Sequence, residues 1–215
     1  HVVKSPLSGV ITTMAPVADV RTSVTPELNI DTPSKIIHVS LNNQKRLAGS
    51  IFSEVTQSEF LNTPDVDDMD RFKKMFNAVQ GLISEHKVLA LHDVSDGGLI
   101  TSLLEMAFTK KVGLDIMIND LDPKNLNNYF FAEEVGLVLQ VDEAHLYEVT
   151  SVLTSVNSVV NAIGTISSSK DIVISNAEEN LYRESITVLE KSWRETSHAI
   201  QSMRDNQSIA DSELS

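Results

Sequence analysis

ALHDVSDGGLITSLLEMAF, residues 90–108, joins the end of an apolar run to an amphipathic helix through a polar turn that contains two adjacent glycines. The run VLALH (88–92) reads as a buried strand and residues 97–110 as a helix, so the turn lies at a strand-to-helix junction. Each glycine at a helix start costs roughly 1 kcal/mol relative to alanine, so keeping both implies a gain from absent side chains. One such gain is close approach of a ligand to the backbone. The junction presents N–H groups at the positive end of a helix dipole, which suits phosphate oxygens. Asp93 then suits magnesium, which takes one or two carboxylates together with phosphate oxygens and water. Ser95 can donate its hydroxyl to a phosphate, with Gly97 and Gly98 allowing the approach. The competing reading makes Asp96 an N-cap, Ser95 a turn former and the glycines a device for tight helix–sheet packing. The pattern alone leaves both open, because the spacing is neither a Walker loop nor a dinucleotide fingerprint.

Outward from the turn, the apolar residues Met69, Phe72, Met75, Phe76, Val79, Leu82 and Ile83 recur every three or four positions and predict a helix over 67–87. Strands are expected at 7–14, 35–41, 113–118 and 136–141, and a helix at 143–156 with Asp142 as its N-cap. VVNAIGTI (159–166) and DIVIS (171–175) read as a hairpin around the SSSK turn. A last helix carries Ile186, Leu189, Trp193 and Ile200. The polar tail RDNQSIADSELS that follows has too little apolar content to fold alone. Alternating strands and helices with an antiparallel hairpin predict an α+β fold, a mixed β-sheet packed with helices, over a doubly wound parallel sheet.

The 215 residues can bury a sizeable core, and 41% hydrophobic with 22% charged residues is an ordinary globular balance. The net charge of −13 argues against a nucleic-acid groove or an anionic membrane surface. An anionic ligand must therefore be met locally by amides, a few cations or metal. The absence of cysteine excludes thiolate chemistry, disulfides and thiolate metal sites within this chain. No apolar run reaches the ~20 residues of a membrane span, and no signal pattern opens the chain, so a cytoplasmic setting is expected. The chain begins with His1 and enters an apolar stretch directly, as expected of a piece cut from a longer polypeptide.

Other candidates carry less. His92, at a strand end, can serve as acid, base or phosphate donor, although a satisfied turn histidine is the commoner case. Glu133 and Glu134 can meet a metal or a cation, against the usual reading of a solvated loop. PDVDDMD (64–70) lacks the Gly and Glu placement of a calcium loop and reads as favourable charge at a helix N-terminus. The remaining histidines show no metal spacing.

A wider set of segments carries a resemblance. SPLSGVITTMAPVADVRTSVTPEL, RLAGSIFSEV, PDVDD, FNAVQGL, LALHDVSDGGLITSLLEMAF, FAEEVGLVLQV, WRET and MRDN occur in that order. Together they resemble the large, single-chain form of the phosphoribosylformylglycinamidine synthase family, within the aminoimidazole ribonucleotide synthetase superfamily. The resemblance covers essentially the whole chain. It implies a ligase of purine biosynthesis that converts formylglycinamide ribonucleotide, glutamine and ATP to formylglycinamidine ribonucleotide, glutamate, ADP and phosphate. It further implies that residues 1–203 are the second C-terminal-like synthetase module and that 204–215 are a polar linker toward a glutaminase domain. By the same resemblance Asp93 is a magnesium ligand and Ser95 a contact to ATP or ADP, at a site whose other metal ligands lie in an N-terminal-like module. No residue here is then catalytic, and the module is inactive alone. The alternatives are a non-catalytic nucleotide-binding scaffold, or another member of the superfamily such as an aminoimidazole ribonucleotide synthetase or a thiamine phosphate kinase.

Overall fold

The computed structural model describes residues 10–17, 19–118, 123–177 and 179–214. Seven strands form one mixed sheet: β1 (Ser34–Ser40), β2 (Ala90–Asp93), β3 (Gly113–Met117), β4 (Gly136–Asp142), β5 (Val159–Ser167), β6 (Asp171–Ser175) and β7 (Asn180–Ser185). Their order across the sheet is β2-β4-β1-β5-β3-β6-β7. Every pairing is antiparallel except β3 with β6, so the expected α+β mixed sheet is what the chain forms.

Period-2 burial on the strands and period-3.6 burial on the helices divide the core in two. On one face Ile36, Val138, Leu114, Ile116, Ile172 and Ile174 meet Leu99, Leu103 and Met106 of α3 (Gly98–Lys110). On the other, Ile37, Val39, Leu139 and Val141 meet Met75, Val79 and Leu82 of α2 (Met69–Ser84) and Val149 and Leu153 of α5 (Leu146–Ser155). Both helices expected from apolar stripes therefore pack on the sheet, on opposite faces. Asp68 caps α2 by accepting from the Arg71 amide at 2.8 Å, as expected for the acidic run. Asp142 accepts from the Ala144 amide at 2.8 Å, and a 3-10 turn over Glu143–His145 precedes α5.

Two expectations are corrected, and the tail is seen held against a neighbour. The 159–166 and 171–175 strands do not form a hairpin, because β3 lies between them, antiparallel to β5 and parallel to β6. The parallel register sets Leu114 beside Ile172 and Ile116 beside Ile174, and these rows fill one core. The partner of β6 on its other side is β7, whose polar sequence NLYRES gave no strand signal. The strand expected at 7–14 is not formed over its described part: residues 10–14 have no regular structure, and Val10 is 97% exposed. Without a ladder partner an extended segment has nothing to hold its backbone groups. Residues 7–9 lie outside the described residues. Finally, the polar tail carries helix α7 (Gln207–Leu214) against α6 (Ile186–Arg204), with Ala210 buried and Asp211 paired to His198 at 2.9 Å.

His38, central on β1, is buried among apolar neighbours with its Nδ1 unpartnered among the described residues. Burial, with a smaller contribution from the Lys45 charge, pulls its pKa down to about 3. The folded chain thus holds the neutral ring while the unfolded chain takes up a proton near the ordinary histidine value. The stability this provides is complete above that value and is lost as pH falls toward about 3. Between pH 5.5 and 4 the wild type is expected to lose stability faster than His38→Phe by about 1.4 kcal/mol per pH unit, the linkage of one proton. Urea midpoints measured across that range check this, and parallel pH profiles would contradict it.

Candidate functional site

β2 is an edge strand of the sheet, held to β4 through Ala90 to Asp93. Just beyond it, the Val94 amide donates to the Gly136 carbonyl at 2.9 Å. The chain then leaves the sheet. The Asp93 side chain is 73% exposed, while its carbonyl accepts from the Ser102 hydroxyl at 2.9 Å. That bond ties the strand end to the first turn of α3. Ser95 and Asp96 are exposed, and the Ser95 carbonyl accepts from the Gly98 amide at 2.9 Å. The backbone is fixed and the carboxylate and hydroxyl remain in solvent.

Both glycines have positive φ, +83° at Gly97 and +74° at Gly98, a region that L side chains rarely adopt. A Cβ on Gly98 would lie 2.7 Å from the Phe130 carbonyl oxygen, in the backbone of α4 (Leu126–Phe131). Gly98 is therefore required by packing, whatever else approaches the turn. Asp96 is not the N-cap: Gly97 holds that position and supplies no side chain. The Gly97 amide instead donates to Glu133 Oε1 at 2.8 Å. The same oxygen accepts from the Ile51 amide at 2.9 Å, at the start of α1 (Ile51–Thr56). One carboxylate therefore serves two helix starts, where unsatisfied N–H groups and positive dipole ends favour negative charge.

Glu134 turns the other way and is buried against Arg46, with Nε to Oε1 at 2.6 Å and Nη2 to Oε2 at 2.7 Å. The Arg46 fork also reaches Asp67 at 3.0 Å, and these two carboxylates raise the guanidinium pKa. The expected solvated loop at Glu133 and Glu134 is thus corrected, and the cation it meets is Arg46. The motif carries only a pair of acids; their partners are about forty and about ninety residues away, so no local pattern reveals them. His92 is satisfied on both nitrogens, Nδ1 by the Asp93 carbonyl at 2.6 Å and Nε2 by Glu105 at 3.1 Å. Trp193 donates to the same Glu105 at 3.2 Å and binds α6 into the network.

Among the described residues no group of three or more His, Cys, Asp or Glu side chains is placed to hold a metal. Asp93 offers one exposed carboxylate, which fits one ligand of a magnesium site completed by other groups. With both glycine amides engaged internally, Asp93, Ser95 and Asp96 are the turn's outward groups.

A model of the family described as AIR synthase related protein, C-terminal domain, matches residues 34–175, from β1 to the end of β6. The chain belongs to this AIR synthase related family. Solved structures share the fold of its C-terminal domain. Thermotoga maritima PurL complexed with ATP superimposes with a TM-score of 0.64 at 11% identity, covering 79% of this chain and 27% of that one. The same organism's PurL complexed with FGAR gives 0.65 at 10% identity, covering 79% and 30%. PurL complexed with ADP gives 0.61 at 10% identity, covering 79% and 27%. The chain thus spans less than a third of the length of these PurL chains. Among the described residues no helix is long and apolar enough to cross a membrane.

Proposed function

We propose that this AIR synthase related chain is the second C-terminal-like module of a large, single-chain phosphoribosylformylglycinamidine synthase, with residues 204–215 leading toward a glutaminase domain. Its task is to supply half of a magnesium–nucleotide site. The observation that carries this reading is the turn after β2, where Asp93 and Ser95 stand in solvent on a backbone fixed by Ser102, Glu133 and the Ser95–Gly98 bond. The ordered segment resemblance and the family membership support it.

In this reading Asp93 donates a carboxylate oxygen to magnesium and Ser95 its hydroxyl to a phosphate of ATP or ADP. Gly97 and Gly98 keep the backbone clear of side chains where the phosphate approaches. Because Glu133 already occupies the N-terminus of α3, the helix dipole alone is a poor attraction for phosphate, and charge on the ligand is best met by metal. Bound there, magnesium would neutralise phosphate charge, with Asp93 as its carboxylate ligand from this chain. The N-terminal-like module supplies the remaining ligands, so the isolated chain binds weakly and turns nothing over.

Two outcomes are expected. The isolated chain releases no ammonia from glutamine above a no-protein blank, since it has no cysteine. Mg-ADP binds the chain joined to its companion module at least about 100-fold, or 2.7 kcal/mol, more tightly than the chain alone, by calorimetric titration. Equal affinity in the two preparations would contradict the shared site.

A further inference from the structure

A second concavity, of about 560 Å³, opens between the loop after β1, the end of β3, the start of α4 and the start of β5. It is separate from the turn: β2 and β5 are three strand spacings apart, about 14 Å. Its polar lining consists of Asn43, Lys45, Asn125, Asn128, Tyr129 and Asn161. Met117 and Ile163 supply apolar wall. No described residue of the lining is acidic, although acidic residues outnumber basic ones 30 to 17 along the chain.

Lys45 is half-buried, and among the described residues its ammonium makes no ion pair. It lies 5.4 Å from the centroid of the Tyr129 ring. The carboxylate whose charge reaches it, Glu134, is committed to Arg46. Burial holds the Lys45 pKa below its ordinary value, and the same positive charge is felt at His38, whose ring meets the Tyr129 ring edge-on at 6.0 Å. A partly desolvated ammonium whose neighbouring carboxylate is engaged elsewhere gains from an anion brought to it. The amides define the rest of the ligand. Asn128 is pinned by donating to the Lys45 carbonyl at 3.1 Å. Asn43, Asn125 and Asn161 make no side-chain hydrogen bond to a described residue, and Asn125 begins α4 without capping it. Each leaves a donor and an acceptor facing solvent, a pattern suited to hydroxyl groups.

We propose that this pocket binds a small phosphorylated polyol, with Lys45 on the phosphate and the Asn43, Asn125 and Asn161 amides on the hydroxyls. The volume lies within the range of small-molecule sites. The 215-residue chain, labelled with nitrogen-15, is titrated with glucose 6-phosphate, glucose and inorganic phosphate. Saturable shifts at Lys45, Tyr129 and Asn161 are expected, with glucose 6-phosphate bound at least about 10-fold more tightly than either fragment. Lys45→Met, which keeps the stem and removes the charge, is expected to weaken binding by about 30-fold. Asn161→Asp, at an exposed position that leaves the fold intact, is expected to weaken it by about 10-fold through charge repulsion. Glucose binding as tightly as glucose 6-phosphate would overturn the role of Lys45, and inorganic phosphate doing so would overturn that of the asparagines. Absence of saturation below about 20 mM, or variants binding like the wild type, would overturn the site itself.

Discussion

Replacing Arg46 with methionine is expected to lower the free energy of unfolding by about 3–5 kcal/mol. The magnitude follows from what remains behind. Glu134 is buried, and among the described residues its carboxylate accepts only from the amide and guanidinium of Arg46. Removing the guanidinium leaves a buried carboxylate with one amide donor, takes the Asp65 carbonyl's Arg46 donor away and leaves Asp67, among the described residues, with the Asn42 amide alone. The segments joined by the fork are the loop after β1, the acidic run before α2 and the strand entry at β4. A loss there loosens three connections at once. Arg46→Lys is expected to be intermediate, because an ammonium keeps the charge and cannot reproduce the two-pronged contact. Urea unfolding monitored by circular dichroism checks the series, and a loss below about 1 kcal/mol for Arg46→Met would show that the pair is screened as a surface pair would be.

Gly98→Ala is expected to cost about 2–5 kcal/mol, from about 1–2 for an L residue in the left-handed region and about 1–3 for overpacking. The new Cβ would meet backbone atoms of Phe130 and Phe131 at 2.7–2.8 Å. Backbone cannot rotate away as a side chain can, so α3 and α4 must separate. Gly97→Ala is a useful contrast. Its Cβ would meet the Thr101 hydroxyl, which can turn aside, so the double replacement Gly97→Ala with Thr101→Ala should recover part of the loss. Thermal unfolding of the three variants checks this, and a Gly98→Ala protein as stable as the wild type would mean that the helix pair is not closely packed.

The sequence was most informative where periodicity and burial coincide. Met75, Val79 and Leu82 recur at helical spacing and bury on one face, so α2 is legible from composition alone. The strands at Lys35, Gly113, Gly136 and Asp171 were legible for the same reason, as was the mixed character of the sheet. Strand order was not. Leu114 and Ile116 alternate no differently from Ile172 and Ile174, and nothing in that alternation says that β3 separates two strands adjacent in sequence. β7 escaped because Asn180, Arg183 and Glu184 at an exposed sheet edge carry no apolar signal. At the turn, the glycines correctly marked an unusual backbone. The reason for Gly98 proved to be helix packing, while Glu133, distant in sequence, took the capping role expected of Asp96. Long-range partners of this kind leave no trace in local spacing.

What the turn retains for a ligand is the Asp93 and Asp96 carboxylates and the Ser95 hydroxyl, too little for a metal site and suited to half of one. The central claim is therefore that Asp93 acts only in company, as one magnesium ligand of a nucleotide held between this module and another. In the proposed full-length protein, where the family resemblance implies a tightly held ADP, losing that ligand should release nucleotide and forfeit the stability that a ligand of the folded state confers. The direct measurement is to purify the full-length protein with Asp93→Asn, denature it, and quantify the ADP it releases beside the wild type. The variant is expected to carry little or no ADP and to unfold at a lower temperature. A full complement of ADP with an unchanged unfolding temperature would make the turn a packing feature alone and contradict the proposed site.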